Sequence, residues 1–244
     1  MAVDRHLWTK EFDLAYRPSW TCPLCSKGRL ALFKENIKEF ETTQSKYDYQ
    51  QDYWDPSFYK AHFCATMKCD NLICGETVVV SGTVKWEDLP FGDPNFPEFG
   101  TEVFYCPKYI IPFLHIFPLL KTYPEEINSL IKEAFELYWV NNFSCANMIR
   151  AILEKVLEEQ KITKGTLFER IQTFCNDKPD LKEYLEAIRH IGNSASHREK
   201  EIADSDLLSG FELLEFCLSK IYNLVPSNIQ KSANELTNKY KNKK

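Results

Sequence analysis

Apolar side chains recur every three or four residues after about residue 122, which is the spacing of one face of an α-helix. The first such segment follows Thr122-Tyr-Pro-Glu125, which resembles a capping box with a proline in the first turn. Further helices are predicted near residues 145–157, 168–171, 179–188 and 203–222, which makes four or five in all. Short connections between them predict an antiparallel helical bundle whose core these apolar residues form.

The first hundred residues have little helical periodicity and contain β-like runs such as Thr77–Val84. Residues 40–62 are polar and rich in tyrosine, which predicts a long loop or insertion, and residues 92–100 resemble a Gly/Pro-containing linker. We therefore predict an α+β protein. A β-rich domain spans residues 1–100, a helical bundle spans residues 101–225, and a basic tail spans residues 226–244.

Composition agrees with a folded chain: 44% of the 244 residues are hydrophobic and 27% are charged. The formal net charge of −5 argues against broad binding of phosphate backbones, although the tail 226–244 carries five lysines and one glutamate. The apolar stretch 104–120 is interrupted by Lys108, His115 and prolines, so no membrane span is expected. Without a signal-peptide core we expect a cytoplasmic protein, whose cysteines are thiols or metal ligands.

Five of the nine cysteines lie in the first hundred residues, and four of them form two pairs. Cys22 and Cys25 make a C-x-x-C turn, and Cys69 and Cys74 make a wider pair beside a β-rich run. Two such pairs separated by strand-forming sequence are typical of a zinc ribbon, in which four thiolates close the shell of a structural Zn²⁺. The sequence thus predicts a zinc-ribbon-like domain with a structural rather than catalytic metal.

Two alternatives stay open for these residues. Cys64 is a rival ligand, although the apolar run Phe63-Cys64-Ala65 favours a place in the core. The cysteines could also be unmetallated thiols, or Cys22 and Cys25 a redox pair, although no βαβ pattern surrounds them.

A polar cluster follows the fourth predicted helix, in the stretch 189–198. On a continuing helix Arg189, Asn193 and His197 share one broad stripe, separated by small residues such as Gly192. A histidine that moves protons, an arginine that stabilises phosphate charge and an orienting asparagine can cleave RNA without a metal. The same residues could equally form a hydrogen-bonded network that locks helices together or builds a dimer interface.

The helical half resembles a bacterial domain-of-unknown-function family of the HEPN superfamily, found with restriction and defence genes. The resemblance covers about residues 101–222, and its most specific part is the Arg-x-x-Gly-Asn-x-x-x-His string that ends at His197. The other matching pieces are Tyr105-Cys-Pro107, Ile111-Pro112, Pro124, Glu133-Ala134, Arg150 to Glu154, Leu167 and Ile171.

The resemblance implies a dimeric HEPN-like bundle, often preceded by a zinc-ribbon-like piece, whose active members cut RNA at the dimer interface. His197 matches the motif histidine and Asn193 the polar residue after the motif arginine. Gly192 occupies the usual arginine position, so either Arg189 reaches in from one turn earlier or the chemistry has been lost. Arg150 and Glu154 match as well, and their spacing favours a structural ion pair.

Three hypotheses follow. In the first, the chain is an RNA-directed HEPN-like protein, such as an endoribonuclease of a defence or toxin–antitoxin system, with His197, Arg189 and Asn193 as catalytic residues. Alternatively it is a catalytically silent dimerisation or protein-interaction module with a structural zinc site. The third hypothesis is a zinc-ribbon adaptor that the helical half only supports.

Overall fold

The computed structural model describes residues 3–93, 96–197 and 201–222, with residues 232, 235–237 and 239–240 of the C-terminal end. The side chains of residues 92, 93, 96, 97 and 197 lie outside that description. The predicted basic tail 226–244 therefore lies mostly outside the described residues. No helix in the described part is both long and apolar enough to cross a membrane.

Four antiparallel strands form one meander sheet in the order β1-β2-β3-β4. The strands are β1 (Leu30–Glu41), β2 (Lys60–Cys69), β3 (Thr77–Asp93) and β4 (Phe96–Ile111). Strand β2 alternates strictly between exposed and buried positions, because successive side chains of a strand point to opposite faces. Its inward side chains include Phe63, Ala65 and Met67, each at most 2% exposed.

This alternation corrects the expectation for Cys64. The residue lies between inward-facing Phe63 and Ala65, so its side chain is on the exposed face of β2 rather than in the core.

The sheet also continues past the expected domain boundary at residue 100. Residues 92–93 and 96–100 belong to strands rather than to a linker, because β3 and β4 pair from Val79 with Ile111 out to Asp93 with Phe96, with one register shift between Ser81 and Gly82. The tyrosine-rich stretch 40–62 connects β1 to β2 and includes the short helix α1 (Thr43–Asp48).

Between residue 112 and residue 222, the described part of the chain forms five α-helices, close to where the apolar spacing predicts them. They are α2 (Glu125–Val140), α3 (Asn142–Glu159), α4 (Leu167–Cys175), α5 (Lys182–His197) and α6 (Asp204–Tyr222). Helix α3 packs against α2, α5 and α6 and buries Ile149 and Ile152 completely. The mixed α+β class is thus confirmed, with the sheet first and the helices after it.

The prediction of a capping box at Thr122 is wrong. Helix α2 begins at Glu125, with Pro124 at the N-cap and no side-chain cap. The box instead begins α4, where the Thr166 hydroxyl accepts from the Glu169 N–H and the Glu169 carboxylate accepts from the Thr166 N–H.

An aromatic cluster joins the N-terminal segment to α2. Trp20 packs edge-on against Trp139 with 5.7 Å between ring centroids, and Trp8 lies against both Tyr138 and Trp139. All four rings are at most 5% exposed. The sheet and the helices therefore share one continuous core.

Candidate metal centre and helical polar seam

The two predicted cysteine pairs lie together at one end of the sheet. The Sγ atoms of Cys22, Cys25, Cys69 and Cys74 all lie within 4.8 Å of one another. The separation is 3.8 Å between Cys22 and Cys74 and 3.8 Å between Cys25 and Cys69. Cys64 takes no part in this cluster.

Turns in the two loops aim the thiols at a common point. The first loop closes with hydrogen bonds from Ser26 N to Cys22 O and from Cys22 N to Gly28 O, at 3.0 and 2.9 Å. In the second loop Gly75, directly after Cys74, has a φ of 61°, in the left-handed region that glycine adopts without strain.

The loops are fastened to each other beside the thiols. The Asp70 N–H donates to Arg29 O at 3.0 Å, and the Arg29 N–H donates to Asp70 Oδ1 at 2.8 Å. A Cβ on Gly28 would lie 2.4 Å from the Cys69 sulfur. Gly28 is therefore the residue that allows this close approach.

The surroundings of the thiols differ in their effect on protonation. Backbone N–H groups of Gly28 and Lys27 lower the pKa of the Cys25 thiol to about 6. Burial, in contrast, raises the pKa of the Cys69 thiol to about 12. A bound cation favours the thiolate form of each ligand, so a metal would lower the pKa of the Cys69 thiol.

The predicted catalytic residues of α5 are divided among different contacts. Arg189 donates from Nε to Glu186 Oε2 at 2.6 Å, and its guanidinium lies over the Phe168 ring of α4 at 5.5 Å. Its Nη2 also lies 3.1 Å from His190 Nε2. The backbone of His197 belongs to α5, but its side chain lies outside the described residues, so the predicted Arg189–His197 pairing stays a prediction.

Asn193 meets a different arginine from the one the sequence suggested. Arg150 of α3 donates from Nη1 to Asn193 Oδ1 at 2.8 Å and from Nε to Glu154 Oε1 at 3.0 Å. The expected ion pair between Arg150 and Glu154 is thus confirmed. Near the end of α5 the Ser196 hydroxyl donates to Asn147 Oδ1 at 2.8 Å.

We call this set of contacts the polar seam. It comprises six residues at the contact of α3 with α5: Asn147, Arg150, Glu154, Gly192, Asn193 and Ser196.

Gly192 sets the distance between the two helices at the polar seam. A Cβ at Gly192 would lie 2.4 Å from the Arg150 Cβ and 2.8 Å from its Cδ, closer than real atoms approach. Gly192, where the expected resemblance would place an arginine, lies against Arg150 of α3. Sequence reasoning missed the pairing of Arg150 with Asn193 because it depends on this contact between distant helices.

Two protein-family models match different parts of the chain. Residues 10–110 are similar to a family model described as a domain of unknown function (DUF8608), and residues 132–242 to another, also a domain of unknown function (DUF4145). The first match contains all four clustered cysteines and ends one residue before β4 does. No curated protein and no solved structure matches the chain.

Proposed function

We propose that the chain is a zinc-stabilised interaction module in which a Cys₄ centre holds the β region together and an HEPN-like bundle is catalytically silent. The observation that carries the proposal is the convergence of four thiols from two loops. Four sulfurs about 2.3 Å from a tetrahedral zinc ion lie about 3.8 Å apart. Both the Cys22–Cys74 and the Cys25–Cys69 separations are 3.8 Å.

The donor set favours a structural zinc ion. Four thiolates are typical of structural zinc and leave no open position for a substrate or an activated water. When bound, the metal would supply a cross-link between the loop after Thr21 and the loop after β2. The backbone N–H of Gly28 and the side-chain amide of Asn71 point at Cys25 Sγ, at 3.4 and 3.7 Å, and would orient that ligand.

The contacts of the polar seam support the proposal that the helical bundle is catalytically silent. Arg189 donates a hydrogen bond to Glu186 and lies over the Phe168 ring, and Asn193 Oδ1 accepts a hydrogen bond from Arg150. The glycine at position 192 leaves no space for an arginine side chain between α3 and α5. We propose that this bundle serves in homodimerisation or in contact with a partner protein.

Metal content and assembly test the proposal. Mass spectrometry of the purified protein is expected to find one zinc per chain, lost in Cys22→Ser and retained in Cys64→Ser, whose thiol lies outside the cluster. Light scattering is expected to give a dimer mass. A protein that purifies folded and metal-free refutes the zinc centre, and a strict monomer refutes dimerisation.

A second candidate function is a metal-independent endoribonuclease in a defence setting. The observation in its favour is that α3 supplies Arg150 to Asn193, four residues before His197, so a guanidinium other than Arg189 is available in the motif region. The Arg150 side chain is 30% exposed and could meet a phosphate.

Cleavage of synthetic RNA by the zinc-loaded protein, without added divalent cations, separates the two functions. The nuclease requires that His197→Ala and Arg150→Ala abolish cleavage while both variants keep the wild-type circular dichroism. Arg189→Ala should then retain activity. If no RNA is cut by the wild-type dimer, the silent module stands.

A further inference from the structure

A cleft of about 590 Å³ lies between the end of β4 and helix α2, away from both the cysteine cluster and the polar seam. Its volume is within the range of ligand-binding sites. One wall is the run Lys108–Phe113, and the other is one side of α2, made by Glu133, Glu136, Leu137, Trp139 and Val140.

The lining shows that the cleft runs along the backbone edge of β4. Tyr109 and Ile111 are on the exposed face of the sheet, 59% and 68% exposed, whereas Ile110 faces inward and is 7% exposed. Consecutive strand residues point to opposite faces, so a single cleft touches all three only from the strand's edge. Within the described residues, no backbone segment pairs with this stretch on the side away from β3.

The protein itself already uses this edge to bind an extended segment. Phe12 makes an isolated antiparallel bridge with Tyr105 of β4. The Phe12 N–H donates to Tyr105 O at 3.0 Å, and the Tyr105 N–H donates to Phe12 O at 2.8 Å. The pairing stops there, and the same edge continues into the cleft.

The walls of the cleft define the chemistry of an occupant. Tyr109, Ile111 and Val140 are exposed apolar side chains, of the kind that pack against the alternate residues of an added strand. Glu133 and Glu136 are one helical turn apart on the opposite wall and outnumber Lys108. Apolar walls with an excess of carboxylates complement a strand that carries both aliphatic and basic residues.

We propose that this cleft binds an extended peptide segment of a partner protein, which adds as a strand to the β4 edge at residues 108–111. Its backbone extends the sheet beyond the Phe12 bridge. Its aliphatic side chains pack against Tyr109, Ile111 and Val140, and its lysine or arginine side chains face Glu133 and Glu136. The site is independent of the zinc centre, so the two proposals can fail separately.

Three matched peptides test the proposal on the zinc-loaded full chain. The parent is fluorescein-labelled Ile-Lys-Val-Lys-Ile with blocked ends, for which anisotropy is expected to give a Kd between about 10 μM and 1 mM. A peptide with proline at the central position loses a backbone donor and is expected to bind at least about tenfold more weakly. A peptide with glutamate in place of both lysines is expected not to bind.

Variants of the chain locate the site. Glu133→Gln and Glu136→Gln are each expected to weaken binding of the parent peptide by about two- to fivefold, as exposed charge pairs do. Glu125→Gln, on the same helix but outside the cleft lining, is the matched control and should bind as the wild type does. Val140→Lys adds a cation to the cleft and should abolish binding. The indole N–H resonance of Trp139, a residue of the cleft wall, should shift with the parent peptide.

Each contrary result has a definite meaning. Equal binding of the parent and proline peptides refutes strand addition, and equal binding of the glutamate peptide refutes the charge argument. A Glu125→Gln effect as large as that of Glu133→Gln places binding elsewhere. If the parent peptide does not bind at about 1 mM, the cleft is not a peptide site. If Val140→Lys changes the self-association of the chain, the cleft contacts a second copy of the chain rather than a separate partner peptide.

Discussion

In the helical region α3 lies among α2, α5 and α6 and buries Ile149 and Ile152 completely, whereas at one end of the sheet four cysteine side chains cluster. The helices bury their apolar faces against each other, so association needs no further cross-link. In the two cysteine loops, large apolar residues are present but lie on the surface. Leu24, Leu72 and Ile73 of these loops are 67%, 99% and 98% exposed.

The two regions are therefore expected to obtain their stability in different ways. The helices depend on continuous apolar packing, to which many residues contribute. Under the proposed zinc centre, the loop end of the sheet depends on one metal ion, for which four cysteines are each required. Loss of a single residue should therefore affect the two regions very differently.

The largest effect is expected from Cys22→Ser. Zinc binding contributes on the order of 10 kcal/mol to folding in small zinc modules, so removal of one thiolate should disorder the cysteine loops. Hydrogen exchange should show loss of protection near residues 20–30 and 69–76 and unchanged protection in α3. Cys64→Ser is the control, because Cys64 is an exposed thiol outside the cluster. If α3 loses protection as well, the two regions do not obtain their stability independently.

The next largest effect is expected from Ile149→Ala in the centre of the helical core. A fully buried isoleucine truncated to alanine leaves a cavity and lowers the free energy of unfolding by about 2–5 kcal/mol. Urea unfolding followed by circular dichroism measures the change. Lys132→Ala, on the exposed side of α2, should stay within about 0.5 kcal/mol. Equal effects of the two substitutions would contradict a packed core around α3.

Two helical glycines provide a finer comparison. Gly192→Ala places a Cβ 2.4 Å from the Arg150 Cβ, so α3 and α5 must separate, and we expect a loss of about 1–3 kcal/mol. Gly210→Ala places its Cβ 3.4 Å from the nearest atom, an ordinary contact with Ile149. There the higher helix propensity of alanine should leave the protein unchanged or up to about 1 kcal/mol more stable.

Thermal unfolding of the two alanine variants side by side measures this difference. A Gly192→Ala protein as stable as Gly210→Ala would show that the polar seam does not require the close approach of α3 and α5.

The smallest effect concerns pH. Burial and then the nearby Lys132 charge lower the pKa of His115, which packs beside Phe113 and Phe135. Its pKa in the folded state is therefore below the unfolded value of about 6.5, so the unfolded chain binds more protons in the interval between the two. Stability is complete above about pH 6.5 and falls as the pH decreases through that interval.

His115→Gln should reduce this slope, and urea unfolding between about pH 5 and pH 7 measures it. The difference between the variant and the wild type isolates His115 from the titration of the cysteine cluster, which both proteins share. An unchanged slope would mean that the imidazole is not desolvated on folding.

The helices, the mixed fold class and the two cysteine pairs can be predicted from local sequence. Apolar spacing identifies helices because 3.6 residues per turn place those residues on one face. The two cysteine pairs are recognisable because the members of each pair are at most five positions apart along the chain. Local sequence does not identify which threonine forms a capping box. Thr122 and Thr166 each precede a glutamate by three positions, and of the two only Thr166 makes the cap.

Contacts between side chains of different elements, in contrast, depend on how the chain packs. The register of β2 places Cys64 on the exposed face, although its neighbours are buried. The contact of Gly192 with Arg150 brings that arginine, rather than Arg189, to Asn193. The strand β4 continues to Ile111 and leaves its edge beside α2. Local sequence carries no record of such contacts, because they depend on the distance between elements that are far apart along the chain.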